Sequence, residues 1–310
     1  MLLIGRVLTE PERLTSVVGR QLSYIAARDR GDAENDMTRD LQPMASCSAA
    51  GRTVFDPDRA PHALTVLGEW LDAGKGVPHR HRRHQLLYAD AGVVTVLTAD
   101  GRWVCPPERA VWVPGGTEHA VQAARPFRLC TLYAEPDALA DEAPAGCAVV
   151  GVPAVAREIL RAALALSPSA GPEHPVRRAL ALVPALVQPL VDLSLGLPLP
   201  TDRRARGVAE RWLRTPDDPD PLASVARDAG ASLRTLERCF LAETGLGLAQ
   251  WRTRLRLAVA LERLGAGTSV TEAAHAVGYD SVAAFSRAFR QAHGFAPSRV
   301  GRGAAASASA

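Results

Sequence analysis

Gly230-Ala-Ser-Leu-Arg-Thr-Leu-Glu-Arg-Cys-Phe-Leu-Ala-Glu-Thr-Gly245 is written a second time, in altered form, as Gly278-Tyr-Asp-Ser-Val-Ala-Ala-Phe-Ser-Arg-Ala-Phe-Arg-Gln-Ala-His-Gly294. Each copy follows a short run of helix formers, Leu222-Ala-Ser-Val-Ala226 and Val270-Thr-Glu-Ala-Ala274. Up to the turn glycine the copies are offset by 48 residues and beyond it by 49, so one extra turn residue separates them. A short helix, a tight turn and a second helix, written twice, predict two helix-turn-helix units.

Local chemistry marks the ends of these helices. Asp220-Pro221 reads as a helix start, an acceptor followed by a proline whose missing donor costs nothing at the first position. Ser269-Val-Thr-Glu272 reads as a capping box. Gly230 and Gly278 stand at the sharp turns, where a residue without Cβ is favoured. Ser232 and Ser281 (or Asp280) are placed to cap the second helices. Leu236 with Phe240, and Phe285 with Phe289, are four apart and share the face that packs on the preceding helix. Gly245 and Gly294 suit the left-handed residue that ends a helix, and Pro297 blocks a restart.

Between the units lies Trp251-Arg-Thr-Arg-Leu-Arg-Leu-Ala-Val-Ala-Leu-Glu-Arg-Leu264. Trp251, Leu255, Ala258 and Leu261 keep helical spacing, leaving Arg252, Arg254 and Arg256 for solvent or phosphate. One rigid helix of this kind would hold two reading helices in a fixed relation, suited to successive major grooves about 34 Å apart. A protein-binding αα-repeat is the bland alternative. It leaves the coincidence of turn glycine, serine cap and arginine in both copies unexplained.

Residues from about Asp202 to Val300 resemble the DNA-binding domain of the arabinose-regulator (AraC/XylS) family, on the strength of the two quoted runs and of Gly294-Phe-Ala-Pro297. The resemblance implies that outward positions of the first recognition helix, here Arg234, Glu237 and Arg238, read bases. Arginine holds guanine bidentately and glutamate accepts from cytosine. In the second helix the corresponding positions are Val282, Ala283, Ser286 and Arg287, of which the first two offer no hydrogen bonds. That copy is therefore expected to contribute methyl contacts, shape and phosphate binding. With the caps Ser232 and Ser281, and with Thr235 and Arg290, these residues form the candidate DNA-binding set. A second reading is that these arginines bridge to Glu237, Glu243 or Glu262 on a helix surface.

Composition sets outer limits. The 310 residues suffice for two domains with their own cores, and 47% hydrophobic with 22% charged is ordinary for a soluble chain. The net charge of +3 is unevenly divided: residues 201–310 hold 16 arginines against 11 acidic residues, while residues 1–200 hold 20 basic against 22 acidic. A modestly basic C-terminal part fits a phosphate-binding surface. Five cysteines (Cys47, Cys105, Cys130, Cys147, Cys239) without CxxC spacing read as reduced thiols in a bacterial cytoplasm. Met1-Leu-Leu-Ile-Gly5 is too short for a signal peptide, and Ala179–Leu199 is interrupted by three prolines, Gln188 and Asp192, so neither predicts a membrane segment.

From Leu64 to Tyr133 the texture changes to short β-like runs: 65–68, 85–88, 92–97, 102–104, 110–113, 118–121 and 128–133. Ala99-Asp100-Gly101 is a hairpin signal between two of them. Many short strands predict a closed barrel or jelly roll. This region resembles a cupin, which in its family carries metal on two sequence blocks. Those blocks match His79-Arg-His81 with Gln85 and Gly92, and Pro114-Gly-Gly116-Thr-Glu-His119. The resemblance makes His79, His81, Gln85 and His119 candidate ligands for a divalent metal, with Gln85 standing where an enzyme cupin carries Glu. The same residues with Tyr88, Trp103 and Trp112 are candidates to line an effector pocket. Satisfied barrel groups are the third reading, in an area that His84, Arg80, Arg82, Arg83 and Arg102 make polar in any case.

The remaining stretches connect these parts. Val152–Leu166 and Arg177–Leu195 read as two amphipathic helices broken at Gly171-Pro-Glu-His-Pro175, suited to a homodimer contact or to packing on the barrel. Gly196-Leu-Pro-Leu-Pro200 reads as a stiff linker. The predicted layout is α+β with two domains: an N-terminal cupin-like β-barrel and a C-terminal all-α domain with two helix-turn-helix units. Residues 1–50 form a poorly ordered extension, with Met37 a plausible true start. Residues 51–145 form the effector-sensing barrel, 146–200 the helical connector and linker, 201–300 the DNA-binding domain (222–243 and 270–293), and 301–310 a disordered tail. The function expected is one-component transcription regulation, as activator or repressor, with promoter DNA, a small-molecule effector and, for an activator, RNA polymerase as partners. No residue is assigned a catalytic role. The rival is a metal-dependent cupin oxygenase or isomerase carrying an accessory DNA-binding domain.

Overall fold

The computed structural model describes residues 55–106, 109–139, 144–166, 170–189 and 195–300. The readings made for residues 1–50, for Met37 and for 301–310 lie outside the described residues. Eleven described strands form two antiparallel sheets. They are β1 (Leu64–Leu71), β2 (Gly74–Lys75), β3 (His84–Ala91), β4 (Val94–Thr98), β5 (Gly101–Cys105), β6 (Arg109–Val113), β7 (His119–Ala123), β8 (Phe127–Ala134), β9 (Ala148–Gly151), β10 (Gln188–Pro189) and β11 (Gly196–Pro198). One sheet has the order β1-β8-β3-β6-β9-β10 and the other β11-β5-β4-β7-β2. The Ala99-Asp100 turn closes β4 onto β5, with Thr98 paired to Gly101 and the Thr98 hydroxyl accepting from the Asp100 N–H.

Strand periodicity of two gives the first sheet two different apolar faces. Leu87, Ala89, Val111, Val113 and Leu129 meet Val94, Val96, Trp103 and Val121 of the second sheet. Leu86, Tyr88, Ala110, Trp112, Cys130 and Leu132 face the other way. They are covered by α1 (Ala154–Leu164), α2 (Pro175–Leu180) and α3 (Val183–Leu186), through Ala156, Leu160, Leu180 and Val183.

Two expectations for the connector are corrected. The second amphipathic helix is broken into α2 and α3, because Pro184 in the first turn of α3 has no N–H to continue the ladder from α2. The proline-rich linker is not free: Gly196–Pro198 pairs antiparallel with Trp103, Arg102 and Gly101 as an edge strand, a position that tolerates proline. With β9 and β10 also in the barrel, the stretch 146–200 is not a purely helical connector.

The C-terminal part is all helical: α4 (Arg203–Arg214), α5 (Leu222–Asp228), α6 (Leu233–Thr244), α7 (Leu248–Gly265), α8 (Val270–His275) and α9 (Val282–His293). The two helix-turn-helix units, α5–α6 and α8–α9, share the same turn. Gly230 and Gly278 have φ of 68° and 76°. The next N–H bonds five residues back in both, Ala231 to the Ala226 carbonyl and Tyr279 to the Ala274 carbonyl, each at 3.0 Å. This six-to-one bond closes a left-handed C-terminal turn, so both positions require the same backbone conformation. Ser232 and Ser281 accept from the N–H groups of Thr235 and Ala284. Ser269 and Glu272 cap each other across the start of α8. The expected Asp220 cap is not made. Pro221 occupies the cap position of α5, and the Asp220 carboxylate turns instead to Arg211.

Helix α7 spans both units. Leu248, Trp251 and Leu255 lie in the core of the first unit with Trp212, Leu236 and Phe240. Leu257, Ala258, Leu261 and Leu264 lie in that of the second with Phe285 and Phe289. The latter core is continuous with the barrel, whose Val93 and Phe127 join it. The contact is tight: a Cβ on Gly265 of α7 would come within 2.6 Å of Val93.

Candidate nucleic-acid interface and effector site

On α6 the inward positions Leu236 and Phe240 are fully buried, which leaves Arg234, Glu237 and Arg238 exposed beside the cap Ser232. Thr235 is half-buried, its hydroxyl 2.8 Å from that of Ser232. On α9, Phe285 and Phe289 are buried and Ala283, Arg287 and Arg290 are exposed, with Ser281 capping and Ser286 half-buried. Val282 is half-buried against the core of its own unit, so its side chain is largely committed to packing. None of Arg234, Arg238, Arg287 and Arg290 forms an ion pair with a described residue. Of the three acids that were the alternative partners, Glu237 is exposed and forms no ion pair with a described residue, and the other two are occupied elsewhere. Glu243 accepts from the N–H groups of Thr201 and Asp202, and Glu262 accepts from Arg102 and Thr95 of the barrel. Unpaired guanidinium groups on a convex helix face suit an anionic duplex.

The expectation that Arg252 and Arg256 lie open to solvent or phosphate is corrected. Arg252 donates to the carbonyls of Asp218 and Asp220 and lies over the Trp212 ring. Arg256 donates to the carbonyls of Pro216 and Asp218. Arg254 is half-buried as well. The Arg252 and Arg256 guanidinium groups satisfy carbonyls of the short α4–α5 connection.

Inside the barrel, His79, His81 and His119 come together, each with one candidate ligand nitrogen within 4.8 Å of those of the other two. His79 and His119 face each other across a two-bond bridge, 2.9 and 2.8 Å. Each ring anchors its Nδ1 on a backbone carbonyl: His79 on Val77, His81 on Arg83 and His119 on Thr117, at 3.0, 2.8 and 2.9 Å. With the proton held at Nδ1, the lone pair of each imidazole sits on Nε2. His119 Nε2 is buried with no hydrogen-bond partner among the described residues. Gln85 Oε1 lies 3.3 Å from His81 Nε2. Burial pushes His119 down to about 4 and lowers His81 too, with neighbouring imidazoles adding to both shifts. Neutral imidazoles and an amide oxygen, with lone pairs turned toward each other, form a donor set that fits a borderline divalent cation. Arg83 supports this corner: its carbonyl orients His81 while its guanidinium is held by the carbonyls of Ala60 and His62 and by Glu135.

The other pocket candidates separate. Trp103 is on the inner face, in the row Val121–Val96–Trp103 next to the row His119–Thr98–Gly101. Tyr88 and Trp112 do not line this site. Strand alternation turns them to the face under α1, where Trp112 stacks on His84 and donates to the Pro144 carbonyl. Residues the sequence reading missed stand in their place. Tyr133 meets His81 edge-on at 5.3 Å and lies within reach of Gln85, and Phe55 packs on it. Thr131, two residues away on the same face of β8, has a buried hydroxyl without a partner among the described residues. The signal was present in the alternation Leu129, Thr131, Tyr133.

Comparison with known proteins agrees with both halves. Residues 225–303 match the family described as a helix-turn-helix domain, and residues 69–182 match the AraC-like ligand binding domain. The chain is 31% identical over 247 residues to the HTH-type transcriptional regulator NimR of Escherichia coli (strain K12), spanning 79% of this chain and 90% of that protein. It is 35% identical over 129 residues to the HTH-type transcriptional regulator RipA of Corynebacterium glutamicum, spanning 40% of this chain and 39% of RipA. Among solved structures, ToxT from Vibrio cholerae O395 aligns over 76% of this chain and 96% of its own, with 9% identity and a TM-score of 0.33.

Proposed function

The chain belongs to the AraC family of helix-turn-helix transcription regulators, and from that premise we propose that a ligand held at the histidine cluster of the barrel controls how α6 and α9 engage a promoter. One observation carries this reading: both recognition helices present to the outside arginines that form no ion pair with a described residue, while the barrel meets α7 through Glu262 and Gly265 and leaves those faces open. Residues 201–300 are the DNA-binding part. Within it Arg234, Glu237 and Arg238 read base edges, and Ser232, Thr235, Ser281, Ala283, Ser286, Arg287 and Arg290 fix register on phosphates and methyl groups. Val282 serves packing more than readout.

The ligand site consists of His79, His81, Gln85 and His119, with Thr131, Tyr133 and Trp103 around it. Where a divalent cation is bound, the three Nε2 atoms and Gln85 Oε1 hold it, and it supplies a Lewis-acid anchor for an oxygen or nitrogen of the effector. The names of the relatives and the neutral Gln85 favour a sensor over an oxygenase or isomerase, so the protein is read as a non-enzyme. Among the described residues no helix is long and apolar enough to cross a membrane, and a DNA-reading protein of a bacterium works in the cytoplasm. Pairing of two copies through the helical layer, and contact with RNA polymerase at activated promoters, complete the proposal.

Affinity selection of genomic fragments followed by footprinting tests it. Protection of two patches about one helical turn apart is the expected result. A footprint with no protected bases would remove the regulator reading.

A further inference from the structure

The two turn glycines adopt the same conformation but do not have the same surroundings. A Cβ on Gly230 would meet nothing within 4 Å. On Gly278 it would lie 3.1 Å from Arg256 Nη2, 3.3 Å from Cζ and 3.5 Å from the Asp217 Cα. The turn of the second unit therefore lies close to a side chain of α7 and to the loop that leads into the first unit. Arg256 in turn grips that loop, with Nε 3.0 Å from the Pro216 carbonyl and Nη2 3.2 Å from the Asp218 carbonyl. The loop is itself braced from the α4 side, since the buried Asp218 carboxylate accepts from Arg211 at 2.8 Å.

From this arrangement we infer that Arg256 is a positioning residue for DNA recognition: it locks the first unit's entry loop to the second unit's turn and so sets which spacing of half-sites the protein reads. The inference rests on the two-unit reading proposed above. Helix α7 alone fixes the units only along its axis, and its cores divide near Leu255 and Leu257. A bend or twist at that division would swing one recognition helix relative to the other. Arg256 stands at the division, and its planar fork makes two carbonyl bonds on one side and on the other fills the space beside Gly278 that a Cβ would need. A lysine has no such fork and cannot make both bonds in this geometry.

The experiment uses the full chain and the fragment that the wild-type protein selects from genomic DNA, beside versions with one or two base pairs inserted between the two protected patches. A fragment carrying only the first patch serves as the internal control for folding and phosphate binding. One inserted base pair shifts the second half-site by about 3.4 Å and roughly a tenth of a turn. Wild type is expected to lose about tenfold or more per insertion, the scale of a mismatched contact. Arg256→Met, which keeps the apolar stem, and Arg256→Lys are expected to hold the single-patch affinity. Their penalty for one insertion falls to within about threefold, a fraction of a mismatch cost. If either folded variant discriminates between spacings as wild type does, or if wild type itself binds all spacings equally, the positioning role is overturned. Absence of any selected fragment would instead strike at the regulator reading.

Discussion

Glu262, on the helix that joins the two DNA-reading units, accepts from the Arg102 guanidinium of the barrel through both carboxylate oxygens at 2.5 Å, and it also takes the hydroxyl of Thr95. The pair is about one-fifth exposed on each side. It is therefore a partly desolvated bridge between the sensing and reading parts. Glu262→Ala takes away the carboxylate that Arg102 donates to, and the Arg102 Nε already lacks a partner among the described residues. A loss of about 1–2 kcal/mol is expected, between the values for exposed and buried pairs. A double-mutant cycle with Arg102→Met, followed by urea melts, measures the coupling. A coupling near zero would show that this ion pair adds nothing to the contact between the two parts.

Arg238 is the second test. It is exposed on α6 at the helical position next to Glu237, with no ion pair to a described residue. Arg238→Ala is expected to weaken operator binding by about 1–3 kcal/mol and to relax the preference at one base position. Arg290→Ala, on the last turn of α9, is expected to weaken all sequences alike and to lower the salt slope by about one. A mobility-shift titration across several salt concentrations separates the two. Unchanged affinity for Arg238→Ala takes that residue out of the reading set.

The units themselves were legible because their signals are local. Within each unit the turn glycine, the serine cap and the packing phenylalanine (Gly230, Ser232, Phe240; Gly278, Ser281, Phe289) lie within a dozen residues, and the duplication repeats each clue. What escaped depends on distant partners. Arg256 has the spacing of a surface residue, and only the loop 38 to 40 residues earlier turns it into a staple. Strands β9, β10 and β11 are two to four residues long and owe their existence to a neighbouring strand rather than to a run of β-formers. Tyr88 and Trp112 were drawn into the pocket by residue type, while the parity of the strand from Gln85 already excluded Tyr88 from Gln85's face.

The histidine cluster yields a binding prediction. Three Nε2 lone pairs with an amide oxygen beside them are expected to take Co²⁺ or Zn²⁺ and raise the thermal midpoint of the full-length protein. At a hundredfold excess over Kd the stabilisation is about 2.7 kcal/mol. His119→Ala removes the most buried of the three nitrogens and is expected to abolish both the shift and the visible absorption of the cobalt form. Identical shifts in wild type and His119→Ala would place the metal elsewhere on the chain.

His293 predicts how the second reading unit responds to acid. It is fully buried at the end of α9, between Phe289 and Phe295, with Nε2 near the Leu257 carbonyl and Nδ1 without a partner among the described residues. Burial lowers its pKa from 6.5 to about 4, only partly countered by that carbonyl. Above pH 6.5 the ring is neutral folded and unfolded, and it contributes no pH dependence. Below 6.5 the unfolded chain takes up a proton that the folded chain refuses, so stability falls as the pH drops toward 4. The loss from this residue approaches about 3 kcal/mol once both states are below their pKa values. Melts of wild type and His293→Phe at pH 7 and pH 4.5 test the point, because phenylalanine suits the aromatic surroundings and does not titrate. The difference between the two proteins is expected to widen on acidification in favour of the variant. Parallel loss of stability in both would mean that the acid sensitivity of this domain comes from other groups.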